Sequence, residues 1–276
     1  MRPPPDSIAS VELTAFYCCA QRERDAGEAD PLCGDHYASR FLDEGLRERL
    51  APLLGDAAVQ ASNMARHRII DDRVRDALAS DPGRRMLIVG AGLDTRAFRL
   101  AGGRWFEFDH PSILAIKERE LPERTAPNSL MRIAYDHRRD ALAETLAPYA
   151  GDDEAIVVLE GVSAYLDHDA LEALAGTVRA ALPRAQLVTD LSTAAFRRVF
   201  LHGLAAQLAV LGVPFASGDR HPREAFESAG WRAIATTSIA DRVRIRRPGL
   251  LPRLRSQQAE RMQREGYAIW TFEPVT

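Results

Sequence analysis

Lysine is almost missing from this chain. Lys117 is the only one in 276 residues, although arginine is plentiful. A Walker-type phosphate loop needs a lysine directly after its glycines, and Schiff-base chemistry needs an amine in the site. Lys117 falls instead on an expected helix, where a solvated surface residue is the simpler reading. Cysteine is scarce too. Cys18 and Cys19 are neighbours and Cys33 stands beside Gly34, an odd count without spacing that excludes a disulfide frame or a thiolate zinc site. Histidines such as His67, His168, His202 and His221 lack metal-ligand spacing, so each is expected to be an ordinary helix or turn residue, and no metal is expected. No apolar run is long enough to span a bilayer. The opening Met1–Asp6 lacks the apolar centre of a signal peptide, and a cytoplasmic location is expected. A net charge of −3 argues against general affinity for nucleic acid or anionic membrane.

What is present is apolar material, 46% of the residues, enough for a large core without covalent staples. The chain is organised around Met86–Leu100. Four apolar residues form a short buried strand, Gly90 and Gly92 break it, and a helix-compatible run follows. Glycine lets the backbone turn tightly and approach a ligand. Strand, glycine turn and helix start make the nucleotide-binding corner of doubly wound α/β folds. Arg104–Phe108 reads as the second strand, and Asp109 at its end is placed to accept from both hydroxyls of a ribose.

Further strands are expected at Leu130–Ala134, Ala155–Leu159 and Gln186–Asp190, with helices at Pro111–Leu121, Arg138–Tyr149 and Asp169–Leu182 between them. That alternation implies a parallel sheet with helices on both faces. Ligands then bind at the carboxyl ends of the strands, where Asp109, Asp136 and Glu160 converge. Before the first strand, helices are expected from Ser7 to Ala20, from His36 to Leu50, and from a cap at Gly55-Asp56 toward Leu78. They suggest a helical cap or lid over residues 1–80, ahead of a sheet domain over 81–276. After the fifth strand come a long helix at Thr193–Leu211, a loop, a short helix near His221–Gly230, and final strands at Trp231–Thr237 and Ala268–Phe272. Arg242, Arg244, Arg246 and Arg247 alternate with Val243 and Ile245. This reads as the solvated face of an edge strand, where charge deters unwanted pairing, or as a dock for an acidic carrier protein.

Leu87–Leu100 closely resembles the first motif of the leucine carboxyl methyltransferase family of S-adenosylmethionine-dependent enzymes. Ala65–Asp72, Phe106–Ile113, Tyr135–Arg138 and Leu159–Leu166 are similar to further motifs in the same order, so the resemblance covers roughly residues 10 to 195. It implies an α/β fold, a Rossmann-like seven-stranded, mostly parallel sheet with helices on both faces, an N-terminal helical cap and an antiparallel last strand. It also implies S-adenosyl-L-methionine as cofactor, with Arg66 gripping the methionine carboxylate and Arg68 the nearest rival for that role. Gly90 and Gly92 would pass close to the methionine end, Asp109 would hold the ribose, and Asp136 and the backbone of His137 the adenine. Glu160 would lie near the ammonium, and Tyr165 would face the methyl group or the acceptor. Asp94 stands where dinucleotide turns carry a third glycine.

Methyl transfer from a sulfonium is an in-line displacement that depends on close alignment of oxygen and methyl. A carboxylate acceptor is already ionised at neutral pH, whereas a phenol near pKa ~10 gains from a base. No base-and-orienter pair is visible, which favours a carboxyl acceptor. The expected function is O-methylation of a small, polyketide-like natural product. Its rivals are a nicotinamide-dependent dehydrogenase, since Asp109 lies at the right distance beyond Gly90, and a catalytically silent cofactor-binding module.

Overall fold

The computed structural model describes residues 10–136, 139–151, 153–210, 212–218, 220–252 and 254–275. His137 and Arg138 lie outside the described residues, and with them the backbone expected to face adenine. Strands β1 (Arg85–Val89), β2 (Arg104–Asp109), β3 (Ser129–Ala134), β4 (Ala155–Leu159), β5 (Ala185–Ser192), β6 (Trp231–Ser238) and β7 (Tyr267–Pro274) form one sheet in the order β3-β2-β1-β4-β5-β7-β6. The first five run parallel. Strand β7 enters antiparallel between β5 and β6.

Side chains alternate across a strand, and here both faces are covered. Met86 and Ile88 of β1, with Ile156 and Val158 of β4, pack with α1 (Ser10–Ala26) and α3 (Ala57–Ser80). Leu87 and Val89, with Val157 and Leu159, face α7 (His168–Ala181) and α10 (Arg223–Ser228). This explains why β1 and β4 read as unbroken apolar runs. The N-terminal helices therefore share one core with the sheet: Met64, Ile69, Ile70 and Val74 of α3 are almost fully buried. Asp56 starts α3 by accepting from the amides of Ala58 and Val59, satisfying donors that the first helical turn leaves open.

Several expected helices are cut by local geometry. The His36–Leu50 pattern resolves into a 3-10 turn at Ala38–Phe41 and α2 (Glu44–Leu50), because Leu42 is extended and Asp43 restarts the helix by accepting from Leu46. The Arg138–Tyr149 expectation contracts to α6 (Leu142–Leu146) and a 3-10 turn over Ala147–Tyr149. Thr193–Leu211 becomes α8 (Ala194–Phe200) and α9 (His202–Val210), broken at Leu201. Helix α4 (Arg96–Arg99) is a single turn after the glycines, and α5 (Pro111–Glu120) begins on the proline after His110.

Two expectations are overturned. The arginine run is not an edge strand but α11 (Ile239–Arg246), capped by Ser238. Its buried Ile239, Ala240 and Val243 define a helical stripe that six residues of alternation disguised. Its arginines meet acids of this chain: Arg242 with Asp72, Arg244 with Glu260 of α12 (Gln257–Glu265), Arg246 with Asp30 and Arg247 with Glu28. Lys117 is not solvated. It is 0% exposed, its ammonium 2.7 Å from the equally buried Glu107 of β2. By distance this is an ion pair, yet the ammonium and Glu107 Oε1 lack well-aligned hydrogen-bond partners among the described residues. Arg132 of β3 donates from Nε to Glu107 Oε2, the oxygen nearest the ammonium, at 3.1 Å. A helical position three residues past the buried Leu114 points inward, and the acid beneath makes a cation tolerable there.

Removing one partner of a buried pair strands the other. Lys117→Met should cost about 3 kcal/mol of unfolding free energy in urea, and adding Glu107→Gln should recover most of it. A loss under about 0.5 kcal/mol, as for surface substitutions, would contradict the buried pair.

Candidate active site at the carboxyl rim of the sheet

The glycine turn leaves β1 with Gly90 at φ +74° and Gly92 at φ +48°, a region that side chains with a Cβ rarely occupy. At Gly90 a Cβ would also stand 2.6 Å from Val162 Cγ2. Strand β2 lies parallel to β1 with Phe108 opposite Val89, which carries Asp109 just beyond the rim. Its carboxylate turns back over the turn: Gly92 N donates to Oδ2 at 2.6 Å and His110 N to Oδ1 at 2.6 Å. Burial raises the Asp109 pKa, opposed by these two amides. An ionised carboxylate offers about four acceptor positions. The two amides occupy two of them and leave room for two hydroxyls.

Arg66 reaches the rim from α3. Its Nε donates to Glu160 Oε1 at 3.0 Å and Nη1 to the Tyr267 hydroxyl at 3.1 Å, and Nη1 lies 3.6 Å from Asp190 Oδ2. Tyr267 is there because it pairs with Ser192 across β5 and β7. A side chain on Gly161 would meet the Arg66 guanidinium, which stands 3.6 Å from the place of its Cβ. Arg68, the sequence rival, points elsewhere and pairs with Asp72 at 2.7 Å.

Glu160 is the acid most tightly held. Arg66 and His67 share Oε1, while Arg96 donates to Oε2 at 2.7 Å and His67 Nδ1 lies 3.0 Å from that oxygen. Burial works against this carboxylate, but His67, Arg96 and Arg66 keep its pKa well below the usual range. His67 is itself driven down by burial and by Arg96. Its Nδ1 lies against Glu160 and, at 2.9 Å, against Arg96 Nη2, and its Nε2 lies against Arg99 Nη2. Arg96 is fully buried and also binds Asp71 at 2.7 Å and Asp94. Against the burial penalty, Asp71 is lowered by Arg99 and Arg96, and Asp94 by Arg96 first. His67, Asp94 and Glu160 place donor atoms within 4.8 Å of one another, as a metal ion would require. The Arg96 guanidinium bonds to both acids and supplies that positive charge.

The structure thus brings Arg66, Gly90, Gly92, Asp109 and Glu160 to one rim. Asp136 stands farther out, at the end of β3, with Oδ2 3.6 Å from His110 Nε2 and 3.7 Å from Arg139 Nε. Tyr165 lies in a 3-10 turn over Ser163–Tyr165 after β4, 36% exposed, its ring 5.6 Å from that of Phe215. Burial raises its pKa, so it is a neutral hydroxyl at physiological pH. Sequence reading missed His67, Asp71, Arg96, Arg99, Asp190 and Tyr267. The available signal was an excess of charge at inward-facing helical positions: His67 and Asp71 are four apart, on the stripe that holds Met64 and Val74.

The family model of the leucine carboxyl methyltransferases matches residues 14–179. Among curated proteins, one from Mycobacteroides abscessus, provisionally named an S-adenosyl-L-methionine-dependent methyltransferase, is 36% identical over 61% of this chain and 59% of its own length. A similarly named protein from Mycobacterium leprae is 33% identical, and the match spans 60% of its length. Another from Mycobacterium sp. strain KMS is 33% identical over 88% of this chain and 90% of that protein. A provisionally named methyltransferase structure from Thermobifida fusca shares the fold, with a TM-score of 0.61 at 15% identity over 99% of each chain.

The site makes stability depend on pH in two steps. The lowered His67 pKa means that the unfolded chain takes up a proton first, so stability falls as pH drops below about 6.5. The lowered carboxyls Glu160, Asp71 and Asp94 add stability above their unfolded pKa of about 4, and it is lost on further acidification. The raised Asp109 and Asp190 act oppositely: the folded chain takes up their protons first, so they add stability as pH falls toward about 4 and offset part of the first decline. In thermal melts across pH, His67→Gln should abolish the first decline and keep the second. An unchanged profile would mean that His67 does not titrate in this network.

Proposed function

The chain belongs to the leucine carboxyl methyltransferase family, and on that premise we propose that it is an S-adenosyl-L-methionine-dependent O-methyltransferase. Its acceptor in this reading is a small, polyketide-like natural product, methylated on a carboxylate or a hydroxyl. The observation that carries the reading is Asp109, folded back over the Gly90–Gly92 turn with two acceptor positions to spare. The sheet order speaks in the same direction. Dinucleotide-binding sheets run 3-2-1-4-5-6, whereas here an antiparallel β7 separates β5 from β6, and Asp94 replaces the third glycine.

The residues present fit the cofactor. Asp109 would hold the ribose, the open backbone at Gly90 and Gly92 the methionine end, and Arg66 the carboxylate through donors not taken by Glu160 and Tyr267. Asp136 is the acid nearest to where adenine would lie. When bound, the cofactor supplies a sulfonium methyl already activated for displacement. The chain's own part is then alignment and exclusion of water. Glu160 orients Arg66. Helix α1 closes over the turn, with Ala15 3.7 Å from where a Gly92 Cβ would stand and Arg22 donating to Leu93 O at 2.8 Å. Tyr165 faces the acceptor side as a neutral hydroxyl.

Titration calorimetry with S-adenosylhomocysteine tests this directly. Wild type should bind it, and Asp109→Ala should bind at least about 10-fold more weakly, the loss expected of hydrogen bonds to a charged group. Asp109→Asn, whose one carbonyl oxygen can accept from only one of the two turn amides, should preserve the fold with weakened binding. Stabilisation by NAD or NADP but not by S-adenosylmethionine would refute the reading. Incubation with radiolabelled cofactor and a panel of carboxylic acids and phenols should yield alkali-labile esters or stable ethers, according to the acceptor.

A further inference from the structure

Resting on that reading, we propose that Arg197 forms an anion subsite for the acceptor, which accordingly carries a carboxylate, whichever of its oxygens receives the methyl group. Arg66, Arg96, Arg99 and the arginines of α11 each face an acid. Arg197, half-buried on α8, is different. Its Nη1 donates to Ser192 O at 2.5 Å and Ser192 Oγ at 3.1 Å, and its Nη2 to Ala216 O at 2.9 Å. Its guanidinium carbon lies 5.9 Å from the centre of the Phe215 ring. No carboxylate among the described residues pairs with it. A guanidinium has five N–H donors, and among the described residues these three bonds leave two without a partner. Burial and the neighbouring Arg198 pull its pKa down, as they should for an inward-facing cation without a counter-charge.

A cavity of about 40 Å³ opens beside it, lined in part by Ser163, Leu166, Ser192, Ser217 and Arg220. A single water needs only about 10–15 Å³ by such a measure, so a carboxylate group fits and a ring does not. Ser163 Oγ is committed to Asp190 O at 2.5 Å. Ser192 Oγ accepts from Arg197, which leaves its own proton to donate inward. Arg220 adds a second, exposed cation at the mouth. Asp167 also lines the cavity, but its carboxylate caps α7 by accepting from Ala170 N at 2.9 Å. Tyr165 lies in the chain between the lining residues Ser163 and Leu166, and the segment before Ser217 is held to it: Ala216 N donates to Ala164 O at 2.8 Å and Phe215 packs on the tyrosine ring. A carboxylate seated on Arg197 would therefore present the rest of the acceptor to the Tyr165–Phe215 pair, on the side of the rim where methyl transfer is placed.

The test uses benzoate and its neutral isostere benzamide, titrated calorimetrically into the full chain with and without saturating S-adenosylhomocysteine. Benzoate should bind and benzamide should be at least about 10-fold weaker. Arg197→Gln should lose benzoate by a similar factor, Arg197→Lys should retain most of it, and both should melt near wild type and bind S-adenosylhomocysteine unchanged. No benzoate binding by wild type, or equal binding by Arg197→Gln, overturns the subsite. If benzoate depends on Arg197 but S-adenosylhomocysteine does not bind at all, the methyl-transfer reading falls, and the acceptor role of this site falls with it.

Discussion

A single guanidinium sits at the junction on which the rest of the architecture depends. Arg96 follows the glycine turn and is wholly enclosed. It ties Asp71 of α3, Asp94 of the turn and Glu160 beyond β4 into one charged knot. An isolated ion there would cost several kcal/mol of desolvation. With three acids around it, and Arg66 and Arg99 completing the balance, the charges are mutually satisfied. The geometry also becomes specific, because a planar fork accepts its partners from fixed directions. The knot joins the N-terminal helices to the sheet at the rim where the candidate site lies.

This arrangement assigns the acids of the rim different tasks. Asp109 and Asp190 lie where burial outweighs their amide and guanidinium partners, so their pKa values rise. Glu160 lies where guanidiniums outweigh burial, and its pKa falls. Asp109 keeps acceptor positions beyond the two its amide partners use, whereas both Glu160 oxygens are engaged by charged or imidazole partners. Proximity to a strand end therefore does not make a carboxylate available to a ligand; its remaining partners decide that. Near Tyr165 the balance is reversed, since Arg197 bonds to carbonyls and a hydroxyl beside a ring and pairs with no carboxylate among the described residues.

Charge patterns along the chain were the least legible feature. Arg242 to Arg247 alternate over too few residues to separate a strand from a helix, and only the packing of Ile239, Ala240 and Val243 against α3 settles the matter. Lys117 looked solvated because its buried partner Glu107 is ten residues away on another element. His67 looked ordinary because its partners Arg96, Arg99 and Glu160 come from distant turns. Long-range ion pairs leave no local period in a sequence.

Local order was written plainly. Apolar runs of four or five residues specified β1 and β4, turn glycines specified the corner after β1, and Asp56 specified the start of α3, because each rests on contacts within a few residues. The parallel core, the position of Asp109 and the family resemblance follow from that pattern. What only the folded chain decided is which charges meet: the insertion of β7 that brings Tyr267 to Asp190 and Arg66, the knot around Arg96, and the seating of Arg197 against carbonyls and the Phe215 ring. These depend on separations of tens to hundreds of residues closing to about 3 Å, the range over which a hydrogen bond or ion pair acts, and no local propensity encodes that.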